Sequence, residues 1–276
     1  MPRSILALTA ILLGSTTATA EHPRLLTDAA GVAKLRAAAS KEPVASVKAA
    51  IEKELAKQLA TAPSSLAYDF SPRNQAALYL LTGDKKYAVA AEKKCLEMVA
   101  DPEVWNKPNS KGLTRCAEAL TVALAFDACY DAWSPETRKL VSPKLFAVAD
   151  GIMKSMGAGA NTQLANNWQA VRYAGAGTAF LACDEPGAAD KAKQAYGNLK
   201  KHLEANLGEN GWNPEGIGYT QYPWMFTGPF GIAAQRAGIG DLRTDVPRAA
   251  LTHWTTLAGT VAIPRVDGLG LRADLS

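Results

Sequence analysis

Residues 113–154, LTRCAEALTVALAFDACYDAWSPETRKLVSPKLFAVADGIMK, decide the fold class. As far as Tyr130 the stretch is apolar nearly all round, a pattern suited to a helix buried on every side. The turn AWSPET at 132–137 then puts Ser134 in a capping position and Pro135 at the first helical one. Beyond it Val141, Leu145, Val148 and Ile152 recur at steps of four, three and four, one apolar stripe on a polar helix. A buried helix, a polar turn and an amphipathic helix make a helical hairpin with an inner and an outer member.

The same form recurs on both sides. AALYLL leads into the turn Thr82-Gly83-Asp84, and residues 168–182 lead into CDEPGAAD at 183–190. A further turn, RAGIGD, lies at 236–241. Turn centres at 83, 133, 185 and 239 are 50, 52 and 54 residues apart. The second helices carry stripes of Tyr87, Ala91, Cys95 and Met98 and of Ala192, Ala195, Leu199 and Leu203. Nearer the N-terminus, Thr27 or Asp28 is expected to cap a first helix, and Pro43 to open a second. Val44, Val47, Ile51, Leu55 and Leu59 would form the apolar stripe of that second helix. The reading is all-α, five helical hairpins and no strand. Closed on themselves, such hairpins make an (α/α) toroid, and left open they make a superhelical solenoid.

The ends of the chain read differently. MPRSILALTAILLGSTTATA has a basic Arg3, an apolar run from Ile5 to Leu13 and a small-residue Ala18-Thr19-Ala20 site. That is the pattern of a signal peptide over 1–20, cleaved before Glu21 and directing secretion, most readily to the periplasm. The run is shorter than the roughly 20 residues of a membrane span, so no membrane association is expected after cleavage. Residues 21–263 are expected to form the helical domain. Pro264, Gly268 and Gly270 break the pattern, so 264–276 reads as the start of a linker to a further domain.

Composition narrows the partners. The net charge of +4, or +3 without Arg3, includes no basic run of the kind nucleic-acid binding needs. Cys95, Cys116, Cys129 and Cys183 fall in helical segments without a CxxC pair, so neither zinc nor any other metal or cofactor is expected. Cys116 and Cys129 share one helix about 20 Å apart, too far to bridge. Buried helical thiols are the expectation.

Two segments carry polar and aromatic groups that the scaffold does not require. GWNPEGIGYTQYPWMF, Gly211 to Phe226, holds Trp212, Tyr219, Tyr222, Trp224 and Phe226 among glycines and prolines, and reads as a rigid aromatic loop. Asn166-Asn167-Trp168-Gln169 opens an inner helix. One asparagine suffices as its cap, which leaves the other to face a cavity. Gly216 and Gly218 beside Tyr219 allow a ligand close to the backbone.

HPRLLTDAAGVAKLR, ANNWQAVRYAGAGTAFLA and GWNPEGIGYTQY, in this order, resemble the amino-terminal toroid of the heparinase II/III-like polysaccharide lyases. The resemblance is strongest from about 165 to 226, where the NNW and EGxxY elements stand together. It implies an α/α toroid followed by a β-sandwich, expected downstream of the 264–276 linker, and cleavage of uronic-acid polysaccharides by β-elimination. In that reaction an asparagine amide neutralises the substrate carboxylate and a tyrosine serves as base and acid. By the resemblance these are Asn167 and Tyr219, with Asn166 and Tyr222 as alternative positions. Trp168, Gln169, Trp212, Glu215 and Trp224 are the expected substrate-binding residues, and an acidic polysaccharide or oligosaccharide is the expected partner. Such lyases also draw on a histidine; some place one beside the asparagine, where Trp168 stands here, and the usual sandwich-borne one would lie beyond Ser276. The histidines are His22, His202 and His253, with His202 expected at the surface of an outer helix. A toroid glycoside hydrolase is the alternative, with Asp127, Asp131 and Glu215 as candidate carboxyl groups and the first two read as structural. A non-catalytic periplasmic carbohydrate-binding protein is the other.

Overall fold

A computed structural model describes residues 21–60, 69–101, 105, 112–155, 166–207 and 218–245, with the backbone alone at 112, 207 and 218–221. Every regular element among them is helical. The helices are α1 (Ala29–Ala38), α2 (Val44–Ala60), α3 (Ser71–Thr82), α4 (Lys85–Ala100) and α5 (Gly112–Cys129). A 3-10 turn (Tyr130–Ala132) precedes α6 (Pro135–Lys154), α7 (Asn167–Ala182), α8 (Ala188–Leu207), α9 (Gly218–Arg236) and the short α10 (Leu242–Asp245). The expected signal peptide and the 264–276 linker lie outside the described residues.

The boundaries follow local chemistry. Asp28 caps α1 by accepting the Gly31 N–H at 2.8 Å, and Ser134 caps α6 by accepting that of Thr137 at 3.1 Å. Gly83, with φ of 73°, ends α3 in the left-handed conformation that glycine adopts without a Cβ penalty. Asp84 then accepts the Lys86 N–H and starts α4.

The hairpins assemble in two layers. Helices α3, α5, α7 and α9 form an inner row in which each packs on the next, while α4, α6 and α8 each back their own inner partner. Every residue from Arg115 to Asp127 is buried, as is every residue from Gln169 to Phe180 except Tyr173. The stripes land as their period requires: Ala91, Cys95, Met98, Val141, Leu145, Val148, Ile152, Ala192, Ala195, Leu199 and Leu203 are all buried, and Tyr87 at the start of α4 is half-buried. All four cysteines are buried free thiols. Burial pushes the Cys116 thiol up to about 12 and that of Cys183 to about 11.

Three expectations are corrected. In α2 only Leu55 is buried, while Val47 and Leu59 are 53 % and 64 % exposed. This helix lies at the margin of the array and packs on α3 and α1, so two of its five stripe residues stay exposed. His202 is fully buried, because it sits within the stripe of α8 rather than beside it. Gly211–Phe226 is not a loop throughout, since α9 begins at Gly218 and contains Pro223 and Pro229. Each proline removes the N–H that would meet the carbonyl four residues back, Tyr219 and Met225. Phe226, Thr227, Phe230, Ala233 and Ala234 are nonetheless buried in α9, which packs along α7, and that packing overrides propensity.

A strap of residues 21–28 crosses the C-terminal ends of the inner helices. Arg24 Nε and Nη2 donate to the carbonyls of Leu181 (2.9 Å), Ala182 (3.0 Å) and Cys183 (3.0 Å). The backbone N–H groups of Arg24 and Leu25 donate to Asp127 near the end of α5. Arg236, at the end of α9, donates to the Arg24 carbonyl and to Asp28. Arg36 of α1 donates to the Leu80 carbonyl of α3. The inner helices therefore all finish at one end of the array and all start at the other. No helix of the described residues is long and apolar enough to cross a membrane.

Candidate functional site

The two segments singled out in the sequence start adjacent inner helices. Asn166 is the N-cap of α7, with its side chain accepting the Trp168 N–H at 2.9 Å. Asn167 is the first helical residue and is buried, 3 % exposed. The capping task thus falls to the first asparagine of the pair.

Tyr219 is the second residue of α9. Helices α7 and α9 run side by side in the same direction, and a methyl group placed on Gly177 would fall within the Phe230 ring. Ten residues before Gly177 is Asn167, and eleven before Phe230 is Tyr219. At about 1.5 Å per residue, both positions lie roughly 15–17 Å from this contact, toward the starts of their helices.

Among the other expected residues, Gln169 is buried, and Trp168 is half-buried with the Arg172 guanidinium 5.4 Å from its ring centroid. Tyr222 is half-buried and meets Phe226 edge-on at 5.6 Å, and Trp224 is half-buried. Trp212 and Glu215 lie outside the described residues, as does the side chain of Tyr219.

The burial of three polar side chains at this end, Glu118, His202 and Asn206, was missed in the sequence. Glu118, in the second turn of α5, is 1 % exposed and accepts a hydrogen bond from Trp105 Nε1 at 2.9 Å. Burial, partly offset by that bond, raises its carboxyl to about 7. A lone glutamate within RCAEALTVALAF was the available signal, because an apolar helix does not carry a carboxyl by default. His202 and Asn206, both buried, lie in the last two turns of α8. That helix runs antiparallel to α7, so they reach the same end. The steps of four, three and four from Ala195 through Leu199 and His202 to Asn206 would have placed the histidine inward.

The acidic pair of the hydrolase alternative is at the opposite end. Asp127 accepts from His22 Nδ1 and from two backbone N–H groups, and so holds the strap. Among the described residues no group of three or more His, Cys, Asp or Glu side chains is placed to hold a metal ion. No family model matches the chain, and no curated protein sequence matches it.

Proposed function

We propose that the chain is the helical part of a polysaccharide lyase that cleaves uronic-acid-containing glycans by β-elimination, its hairpins forming an arc of an α/α toroid. The observation that carries this reading is the division of labour at the start of α7. Asn166 caps the helix, which leaves Asn167 buried in the first turn of α7, at the same end of the array as the Tyr219 backbone in the first turn of α9. The ordered resemblance of the 165–226 region supports the same pair, as does the engagement of Asp127 by the strap, which takes one carboxyl from a hydrolase.

In this mechanism the Asn167 amide donates to the uronate carboxylate and lowers the cost of charge developing on it as the C5 proton leaves. The Tyr219 phenolate oxygen takes that proton. The C5–H electrons become the C4=C5 double bond, the C4–O bond breaks, and the leaving oxygen takes the proton back from the tyrosine. A free phenol ionises near pH 10, so the base needs positive surroundings. Arg115 and Arg172, buried near the starts of α5 and α7, bring two guanidinium groups to this end. Trp168 and Trp224 offer ring faces to sugar units. The partner is an acidic glycan outside the cytoplasm, and the elimination chemistry itself calls for no organic cofactor.

The test is ultraviolet absorbance of products from a panel of uronic-acid polysaccharides, since only elimination leaves a double bond conjugated to the carboxylate. Rising absorbance that disappears in Tyr219→Phe, with the helical fold retained, is the expected result. New reducing ends without absorbance mean hydrolysis, with Glu215 as the residue to replace. Binding without either product means a carbohydrate-binding protein.

A further inference from the structure

The strap is fastened at His22, a side chain only 4 % exposed. Its Nδ1 is 2.7 Å from Asp127 Oδ1, and its Nε2 is 3.3 Å from Asp184 Oδ1. A neutral imidazole has one N–H and can donate to only one of these carboxylates. Its other nitrogen would turn a lone pair toward a carboxylate oxygen. Both contacts are favourable only when the ring carries both protons.

The surroundings suit a cation. The ring stacks on Tyr130, with centroids 3.9 Å apart and planes inclined by 11°. Tyr130 donates its hydroxyl to Asp184 at 2.8 Å, and Arg24 Nη2 donates to the same carboxylate at 2.9 Å. The charged and titratable groups facing His22 are Asp127 from α5, Tyr130 from the 3-10 turn, Asp184 from the turn before α8 and Arg24 from the strap. Arg138 of α6 lies 4.6 Å from the Tyr130 ring centroid, and Asp131 lines the small cavity that His22 borders.

We infer that His22 is a charge-gated latch: as an imidazolium it clamps residues 21–25 across the ends of α5 and α7, and on losing its proton it loosens them, leaving Arg24 and Leu25 as the remaining ties. Burial and Arg24 oppose the charge, but the hydrogen bonds to Asp127 and Asp184 outweigh them and hold the folded pKa above the ordinary 6.5. The sign follows. A histidine with a raised folded pKa contributes its stabilisation fully below the unfolded value and loses it as pH rises through the folded one. The latch is closed below the ordinary imidazole value and opens as pH rises through the raised folded one. Opening would unroof the cavity of about 240 Å³ that His22 and Pro23 share with Val32, Arg36, Tyr79 and Asp131.

Imidazole ¹⁵N spectra and limited trypsinolysis of the purified protein test this. The chain has only three histidines, so comparison with His22→Gln assigns the His22 signals. At about pH 6 the His22 nitrogens are expected to show the imidazolium pattern, with a midpoint above the ordinary value. Scission after Arg24, taken as a ratio to the same cut in His22→Gln, cancels the protease's own pH response. That ratio is expected to climb by about tenfold as pH rises through the midpoint. Asp184→Asn, which keeps the histidine, is expected to lower the midpoint and serves should His22→Gln fail to fold. A neutral His22 with one tautomer at about pH 6, or a ratio independent of pH, overturns the latch.

Discussion

Asn166 and Asn167 are adjacent and chemically identical, yet the helix start gives them separate environments, and substitution should separate their roles. Asn166→Ala removes the acceptor for the Trp168 N–H and is expected to cost about 1 kcal/mol in denaturant unfolding. Asn167→Ala is expected to lower kcat by about a hundredfold in a protein that circular dichroism shows folded. Equal losses of turnover in both would remove the distinction on which the proposed pair rests. Glu118 makes a prediction independent of activity. Its folded pKa, about 7, lies above the ordinary 4.5, so between those values the folded chain keeps a proton that the unfolded chain has released. Stability should therefore decline as pH rises across that interval. Glu118→Gln retains an acceptor for Trp105 and should flatten the decline, read as denaturant midpoints against pH. An unchanged slope would mean that the carboxyl is solvated in the folded chain.

The packing of α7 between α5 and α9 rests on small side chains: Ala174, Gly175, Ala176, Gly177 and Ala179 let its neighbours approach closely. Gly177→Leu would drive a side chain into Phe230 and is expected to cost at least about 2 kcal/mol, by overpacking. The measure is a lower denaturant midpoint at an unchanged slope, and a neutral result would mean that α9 is free to shift along α7. This scale also shows what was legible. Hairpins, caps and stripes were readable because turn chemistry and helical period are local properties. The α2 stripe was not, because its burial depends on which helices flank it. The helical start of α9 was hidden as well, since contacts with α7 outweigh two prolines that argue locally for a loop. At the candidate site the positions 166–169 and 218–224 were visible as exceptions to the scaffold, whereas Glu118 belonged to a helix already assigned to the core and His202 to a helix face assigned to the surface.

The strap binds the array as one object, and its partners lie about 100 to 210 residues away in sequence, beyond the reach of any local pattern. Arg24 is its most connected side chain: it satisfies carbonyls of Leu181, Ala182 and Cys183 and one oxygen of Asp184, placing positive charge at the C-terminal end of α7. Arg24→Met keeps most of the apolar stem and removes these donors. Net values for hydrogen bonds to charged groups put the loss at about 2–3 kcal/mol, a sizeable share of the 5–15 kcal/mol typical of a whole domain. The distribution of the loss is the more telling outcome. Because the strap also engages Asp127 of α5 and Arg236 of α9, amide hydrogen exchange in the last turns of α5, α7 and α9 should accelerate together. The first turns of the same helices, where Asn167 and Tyr219 lie, should be protected as before at temperatures below the transition. Faster exchange confined to residues 21–28 would make the strap an ornament on a self-sufficient array, whereas acceleration along the full length of the inner helices would mean that the array folds only with the strap in place.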